Sequence, residues 1–232
     1  VHGAEVDRPW IDDSTQPLDN WATDPLFDAI NWDFLGNPPQ HAHAQANRKR
    51  KKPEDWNAAQ LFLTGCEWLK DNTSRDNFFL WLDCFDPHEP WDAPPEFVKL
   101  YDRTPGYDGR VDPRSFGVGR TDRVPEAAVE RVKAFYAAKV SWVDHWLGQF
   151  LDTLEETGLA KNTAILLTAD HGTRLGEYGT FHKSYPINEL EGHVPFILHV
   201  PAGGTGRSDI IVQPQDIFAT LAQRRYRDPQ SS

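Results

Sequence analysis

Three short stretches of this 232-residue chain carry side chains that could do chemistry together: Asp170-His171-Gly172, His182-Lys183, and Asp86 with His88 in Asp83-Cys84-Phe85-Asp86-Pro87-His88-Glu89-Pro90. A carboxylate and an imidazole brought to one point suit a divalent cation. A tetrahedral oxyanion on such a cation needs further positive charge at its other oxygens, which Lys and His supply. On the tripeptide alone two readings of Asp170 stay level: a metal ligand beside His171, or a helix N-cap with His171 as bystander. Gly172 would let the backbone turn sharply there. Lys183 follows a loop dotted with Gly172, Gly176 and Gly179 and is by default a surface lysine. Glu191 and His193 lie close by in sequence, with salt-bridging or capping as their expected work. His41 and His43 have no carboxylate or thiol near them and read as loop surface, as does the basic run Arg48-Lys49-Arg50-Lys51-Lys52.

These groups need elements to position them. Leu61, Phe62, Cys66, Trp68 and Leu69 share one helical face from Asp55 onward, with Pro53 and Asp55 suiting its start. Phe78-Phe79-Leu80-Trp81-Leu82 reads as a buried strand, ended by the prolines of the Asp86–Pro90 cluster. Residues 102–124 read as a long loop. The strongest helix opens at Pro125, runs along Val129, Val132, Tyr136, Val140, Val143, Leu147, Leu151 and Leu154, and is capped by Gly158. Asp144, next to that stripe, is expected to be a buried carboxylate bonded to a neighbouring loop. Thr163–Ala169 reads as a second strand and Val194–Pro201 as a third, at an edge or starting at Phe196 because of Pro195. Residues 214–223 read as a further helix. Alternating strands and helices predict an α/β fold, a three-layer α/β/α sandwich around a mostly parallel sheet. In such sheets ligands gather beyond the carboxyl ends of the strands, where Asp86 with His88 and Asp170 with His171 fall. Asp170, His171, Lys183 and His88 are therefore expected to converge at one sheet edge.

Composition narrows the classes. Apolar residues make up 39% of the chain, enough for a core. Lys+Arg 24 against Asp+Glu 35 gives −11, which argues against nucleic acid or an anionic membrane as partner. No apolar run reaches the length of a membrane span. Cys66 and Cys84 have no metal-ligand spacing and read as two half-buried thiols. The chain begins at Val1 and contains no methionine, so it reads as a piece of a longer protein. Compartment and oligomeric state leave no signal.

The order of motifs resembles the C-terminal half of the sulfatase catalytic domain, in the alkaline-phosphatase superfamily. A long helix with Tyr136, Val143-Asp144 and Gly148 ends at Gly158-Leu159, and Asn162-Thr163 leads into an apolar strand. Thr168-Ala169-Asp170-His171-Gly172 follows with Leu175-Gly176-Glu177, then His182-Lys183, Val194-Pro195-Phe196-Ile197 and Gln213–Leu221. Upstream, Phe78-Phe79-Leu80, Pro87-His88-Glu89-Pro90 and Pro94-Pro95 are similar to the family's segment between two strands. The resemblance spans roughly residues 54–222, and several short motifs in series are more specific than any one. It divides the chain into residues 1–53, an irregular loop or insertion region, and residues 54–232, the C-terminal part of the catalytic domain.

The resemblance implies metal-dependent hydrolysis of a small-molecule or glycan sulfate ester. Asp170 and His171 would be two ligands of a divalent cation, usually Ca2+. Lys183 would contact the sulfate, His88 would lie beside it and help protonate the leaving alcohol, and His182 would be a less firmly matched substrate contact. The family's paired Asp-Asp and its Cys/Ser-x-Pro-x-Arg motif, source of the formylglycine nucleophile, are absent. Asp12-Asp13 has no preceding strand and is not that pair, while His2–Arg8 looks like a mid-domain segment. The missing part is thus expected before residue 1, leaving the given chain inert alone. His193 stands where the family usually has Arg, as in phosphonate monoester and phosphodiester hydrolases, which supply the alternative activity. Two-zinc phosphatases need Asp-x-x-x-His, but Cys84 precedes His88 at that spacing. A non-catalytic relative binding sulfated glycans is the alternative outside enzymes.

Overall fold

The computed structural model describes residues 24–28, 30, 47, 50–112, 114–115, 118–183 and 185–226. Asp12, Asp13, His2, His41, His43, Arg48 and Lys49 lie outside them. Six helices order the described chain: α1 (Pro25–Asp28), α2 (Asn57–Asp71), α3 (Pro95–Tyr101), α4 (Glu126–Glu156), α5 (Glu189–Gly192) and α6 (Pro214–Tyr226). Four strands accompany them: β1 (Ile165–Thr168), β2 (Arg174–Leu175), β3 (Phe181–His182) and β4 (Phe196–His199).

The core forms where α2 and α3 pack on α4. Phe62, Cys66 and Leu69 of α2 meet Trp146, Phe150 and Leu154 of α4 in one buried cluster, with the Phe62 and Phe150 rings 6.3 Å apart. The start and stop of α4 follow the sequence reading: Pro125 is its N-cap and Gly158, at φ 77°, is the left-handed residue after it. Helix α2 starts later than read, at Asn57, because Pro53–Asp55 forms a separate 3-10 turn. The buried face of α4 takes in Val129, Val132 and Leu154 of the expected stripe and widens past it to Phe135, Ala138, Lys139, Trp142 and Trp146, whereas Val140 is exposed. Large aromatic rings bury more area than valines and leucines, so they widen the face that turns inward. Asp144 is exposed, not a buried carboxylate.

The sheet departs from expectation. Both ladders among the described residues are antiparallel: β1 with β4, pairing Ile165 with His199 and Thr168 with Phe196, and β2 with β3. A parallel pair needs a long crossover, usually a helix. Among the described residues the stretch between β1 and β4 carries the β2–β3 hairpin, a 3-10 turn at Glu177–Gly179 and the four-residue α5 but no long crossover helix, and β4 runs back against β1. The molecule is α/β in content, but its visible pairing is not parallel. Residues 78–82 join no ladder. They are nevertheless extended, with Phe78, Leu80 and Leu82 partly buried while Phe79 and Trp81 face outward at 70% and 66% exposure.

The described residues of 102–124 form a loop broken by short 3-10 turns at 114–115 and Thr121–Arg123 and by an isolated bridge at Arg120. Charge pins that loop to α4. Arg131, buried in the helix, bonds both Asp24 and Asp102, and its guanidinium lies 3.8 Å from the Tyr107 ring centroid. The basic run is not uniformly solvated either. Lys51 and Lys52 are exposed, but Arg50 lies over the Trp56 ring and pairs with Asp92 at 2.5 Å. Cys66 and Cys84 are free thiols, buried and half-buried respectively. Burial, then the nearby Asp86 carboxylate, pushes the Cys84 thiol up to about 12, so it stays protonated.

Candidate active site

The loop Asp86–Asp92 carries the first chemical group. Its two ends are held by one buried cation: Lys139 Nζ lies 3.1 Å from Asp86 Oδ1 and 2.7 Å from Asp92 Oδ1. Burial works against that charge, yet Asp86 and Asp92 hold the ammonium above the ordinary lysine value. Trp91 then ties the loop to the hairpin. Its indole N–H donates to the Pro87 carbonyl at 3.0 Å, and its ring stacks on His182 of β3 with centroids 5.4 Å apart.

The hairpin itself is anchored by Phe181, buried against the core. The Phe181 N–H donates to the Gly119 carbonyl at 3.1 Å, and a bridge joins Arg120 to Thr180. At His182 the backbone takes φ 65°, a conformation uncommon outside glycine. That twist accompanies a ring whose Nε2 donates to the Val118 carbonyl at 3.1 Å. Lys183 follows directly.

His88, His182 and Lys183 meet around Glu89. Lys183 Nζ lies 2.9 Å from His88 Nε2 and 2.7 Å from Glu89 Oε1. His182 Nδ1 is 3.4 Å from the same carboxylate oxygen, and His88 Nδ1 is 3.5 Å from Oε2. His88 Nδ1 also bonds the Glu89 backbone carbonyl. A carbonyl only accepts, so this nitrogen carries the proton and Nε2 takes a hydrogen bond from the Lys183 ammonium. The His88 ring is stacked on Phe85, centroids 4.3 Å apart. Burial alone would push the Glu89 carboxyl up. Hydrogen bonds from His182 and Lys183 prevail and hold it well below the usual carboxylate range.

Asp170 and His171 stand directly beyond β1. No helix follows Asp170, so the N-cap reading is overturned. Its Oδ1 accepts from the His171 N–H at 2.9 Å, while the side chain stays 87% exposed. His171 Nδ1 bonds the Gly172 carbonyl at 2.9 Å, which leaves the Nε2 lone pair 3.5 Å from Asp170 Oδ2. Two acceptors facing one another suit a cation between them. They fill only part of a shell, because a hard cation such as Ca2+ takes six or more oxygen ligands. Among the described residues no three His, Cys, Asp or Glu side chains form a group able to hold a metal. His88 therefore does not join Asp170 and His171 in one ligand set. Gly172 is required by contact rather than by a turn. A Cβ there would lie 2.0 Å from the Leu190 carbonyl oxygen of α5.

Glu191 pairs with buried Arg174 at 3.2 Å and completes the capping box of α5 with Asn188, while His193 is exposed. Glu89, Lys139 and Asp92 escaped the sequence reading. Glu89 sits between His88 and a proline, and adjacency to a candidate acid was the signal available.

The sulfatase family model matches residues 16–224, and the chain belongs to the sulfatase family. It is 28% identical over 170 residues to an arylsulfatase of Clostridium perfringens, covering 67% of this chain and 35% of that protein. It is 31% identical over 184 residues to iduronate 2-sulfatase of Mus musculus, covering 69% of this chain and 31% of that protein. Among solved structures it is similar to a phosphonate monoester hydrolase from Silicibacter pomeroyi, with a TM-score of 0.49 and 23% identity, covering 65% of this chain and 34% of that one. The chain thus spans about a third of the length of the curated relatives it matches.

Proposed function

We propose that these residues form part of the active site of an enzyme hydrolysing a small-molecule or glycan sulfate ester. The observation that carries this reading is the 2.9 Å contact between Lys183 Nζ and His88 Nε2, which joins two groups far apart in sequence on a part-exposed surface. A sulfate ester set against Lys183 would place its oxygens on the ammonium, where charge develops as the ester bond breaks. His88, with Nδ1 fixed on the Glu89 carbonyl, takes up a proton from solvent at Nε2 once Lys183 has turned to the sulfate, and passes that proton to the departing alcohol oxygen. His182 is a further substrate contact. Asp170 and His171 contribute two donors toward a divalent cation, which when bound would polarise the sulfate oxygens. The sequence contains no Cys/Ser-x-Pro-x-Arg nucleophile motif, so a preparation carrying that family segment as well as these residues is the one to assay.

The test compares an aryl sulfate with an aryl phosphonate monoester. Sulfate turnover that falls by roughly a hundredfold or more in Lys183→Met and in His88→Ala supports the reading. Turnover of the phosphonate alone overturns it.

A further inference from the structure

Glu89 is the common partner of all three residues assigned to the substrate. Its Oε1 lies 2.7 Å from Lys183 Nζ and 3.4 Å from His182 Nδ1, and its Oε2 lies 3.5 Å from His88 Nδ1. The carboxylate is not free to swing away. Its side chain is only 21% exposed, proline follows it, and its own backbone carbonyl is bonded to His88. The lysine meant for an incoming anion is therefore already neutralised by a resident one, held at the same point.

We propose that Glu89 sets the charge selectivity of the site: it favours sulfate esters whose leaving group carries a cationic or hydrogen-bond-donating group near the ester oxygen, and disfavours those carrying a second anion there. This rests on the reading of Lys183 and His88 as sulfate contacts. An ester sulfate within hydrogen-bond reach of Lys183 brings an anionic oxygen to about 5 Å from the Glu89 carboxylate. Like charges at that distance near a protein surface weaken binding on the order of tenfold. A second anion on the leaving group adds a further repulsion of the same kind. An ammonium or a donor hydroxyl in that position instead satisfies the carboxylate that Lys183 releases when it turns toward sulfate. Specificity of this kind comes from a built-in repulsive element as much as from a new attraction.

The test titrates the full chain with inorganic sulfate, 2-aminoethyl sulfate and carboxymethyl sulfate, following the ring resonances of His88 and His182 by NMR. Wild type is expected to bind aminoethyl sulfate at least about fivefold tighter than carboxymethyl sulfate. Glu89→Gln is expected to bind inorganic sulfate about tenfold tighter than wild type and to lose the preference. Equal affinities of wild type for the two esters overturn the proposal even if Glu89→Gln fails to fold. Equal sulfate affinity in wild type and Glu89→Gln, with the shifts lost in Lys183→Met, overturns the role of Glu89 and leaves the sulfate reading standing. Shifts that survive Lys183→Met, or no binding by any form, overturn the sulfate reading and the proposal with it.

Discussion

The Lys139 ammonium, 3% exposed at its side chain, lies 2.7 Å from the Asp92 carboxylate inside the face that α4 turns toward the His88 loop. The same ammonium holds Asp86 at 3.1 Å, and the second oxygen of Asp86 is buried with no hydrogen-bond partner. One long side chain therefore sets both ends of the segment that presents His88 and Glu89.

Removing that cation leaves Asp86 buried with its charge uncompensated, whereas Asp92 keeps Arg50. Lys139→Met is expected to lower stability by about 3–5 kcal/mol, read from urea unfolding at pH 7. Lys139→Arg should recover part of the loss. A Lys139→Met variant as stable as wild type would show that the pair contributes no more than an apolar side chain of that length.

At Asp144 the expected outcome is the reverse. The side chain is exposed, so Asp144→Asn should change stability by no more than about 0.5 kcal/mol. A loss of several kcal/mol would mean that the carboxylate is buried in solution after all.

Gly172→Ala tests the contact between the Asp170–His171 turn and α5. The added Cβ would meet the Leu190 carbonyl oxygen at 2.0 Å, and backbone must shift to relieve it. Overpacking of this kind costs about 1–3 kcal/mol. The Gly172 N–H also donates to the Glu191 carbonyl at 2.8 Å, so amide exchange at residue 172 should speed up along with the loss of stability.

Acid should weaken the Glu89 cluster in a defined direction. The Glu89 carboxyl is held below its ordinary value of 4.5, so the folded state binds its proton less readily than the unfolded state. Its contribution is present in full above that ordinary value and is lost as pH falls through the lower, folded one. Wild type should therefore lose more stability than Glu89→Gln between pH 6 and pH 3, measured by urea midpoints. Parallel losses in the two proteins would show that other carboxylates account for the acid sensitivity.

How much of this was legible depends on whether the signal was local. The limits of α4 could be read because Pro125, Gly158 and a 3.6-residue period act within the segment itself. The full width of its inward face could not: Val129, Val132 and Leu154 of the apolar stripe are buried, but so are Trp142, Trp146 and Phe150 beside them, and Val140 is not. Residues 78–82 show the alternation of a strand, but a ladder needs a partner that no local pattern names. The two-residue strands β2 and β3 are too short to carry a period at all. Within the site, His88, Asp170 and His171 stood out at the ends of expected strands and His182-Lys183 after a glycine-dotted loop, while their separate roles are what the family's order of motifs implies. The hub, Glu89, is a matter of side-chain reach, and Lys139 looked like one more polar residue on a helix until its face was known.

The pair proposed as cation ligands can be tested on its own. Asp170 and His171 offer one carboxylate and one imidazole, with Asp170 87% exposed, and no third ligand residue joins them among the described residues. A Ca2+ ion gives up water only for a near-complete set of oxygen ligands, and even well-formed extracellular sites reach only about 0.1–1 mM. Residues 1–232 alone should therefore bind calcium more weakly than about 1 mM, and chelation should leave their melting temperature unchanged. Calorimetric titration with calcium, beside Asp170→Ala as control, is the measurement. Micromolar binding abolished in Asp170→Ala would mean that the remaining ligands already lie within these residues. In that case turnover of an aryl sulfate by the same chain would have to be sought, since a complete cation site would no longer be expected to stand idle.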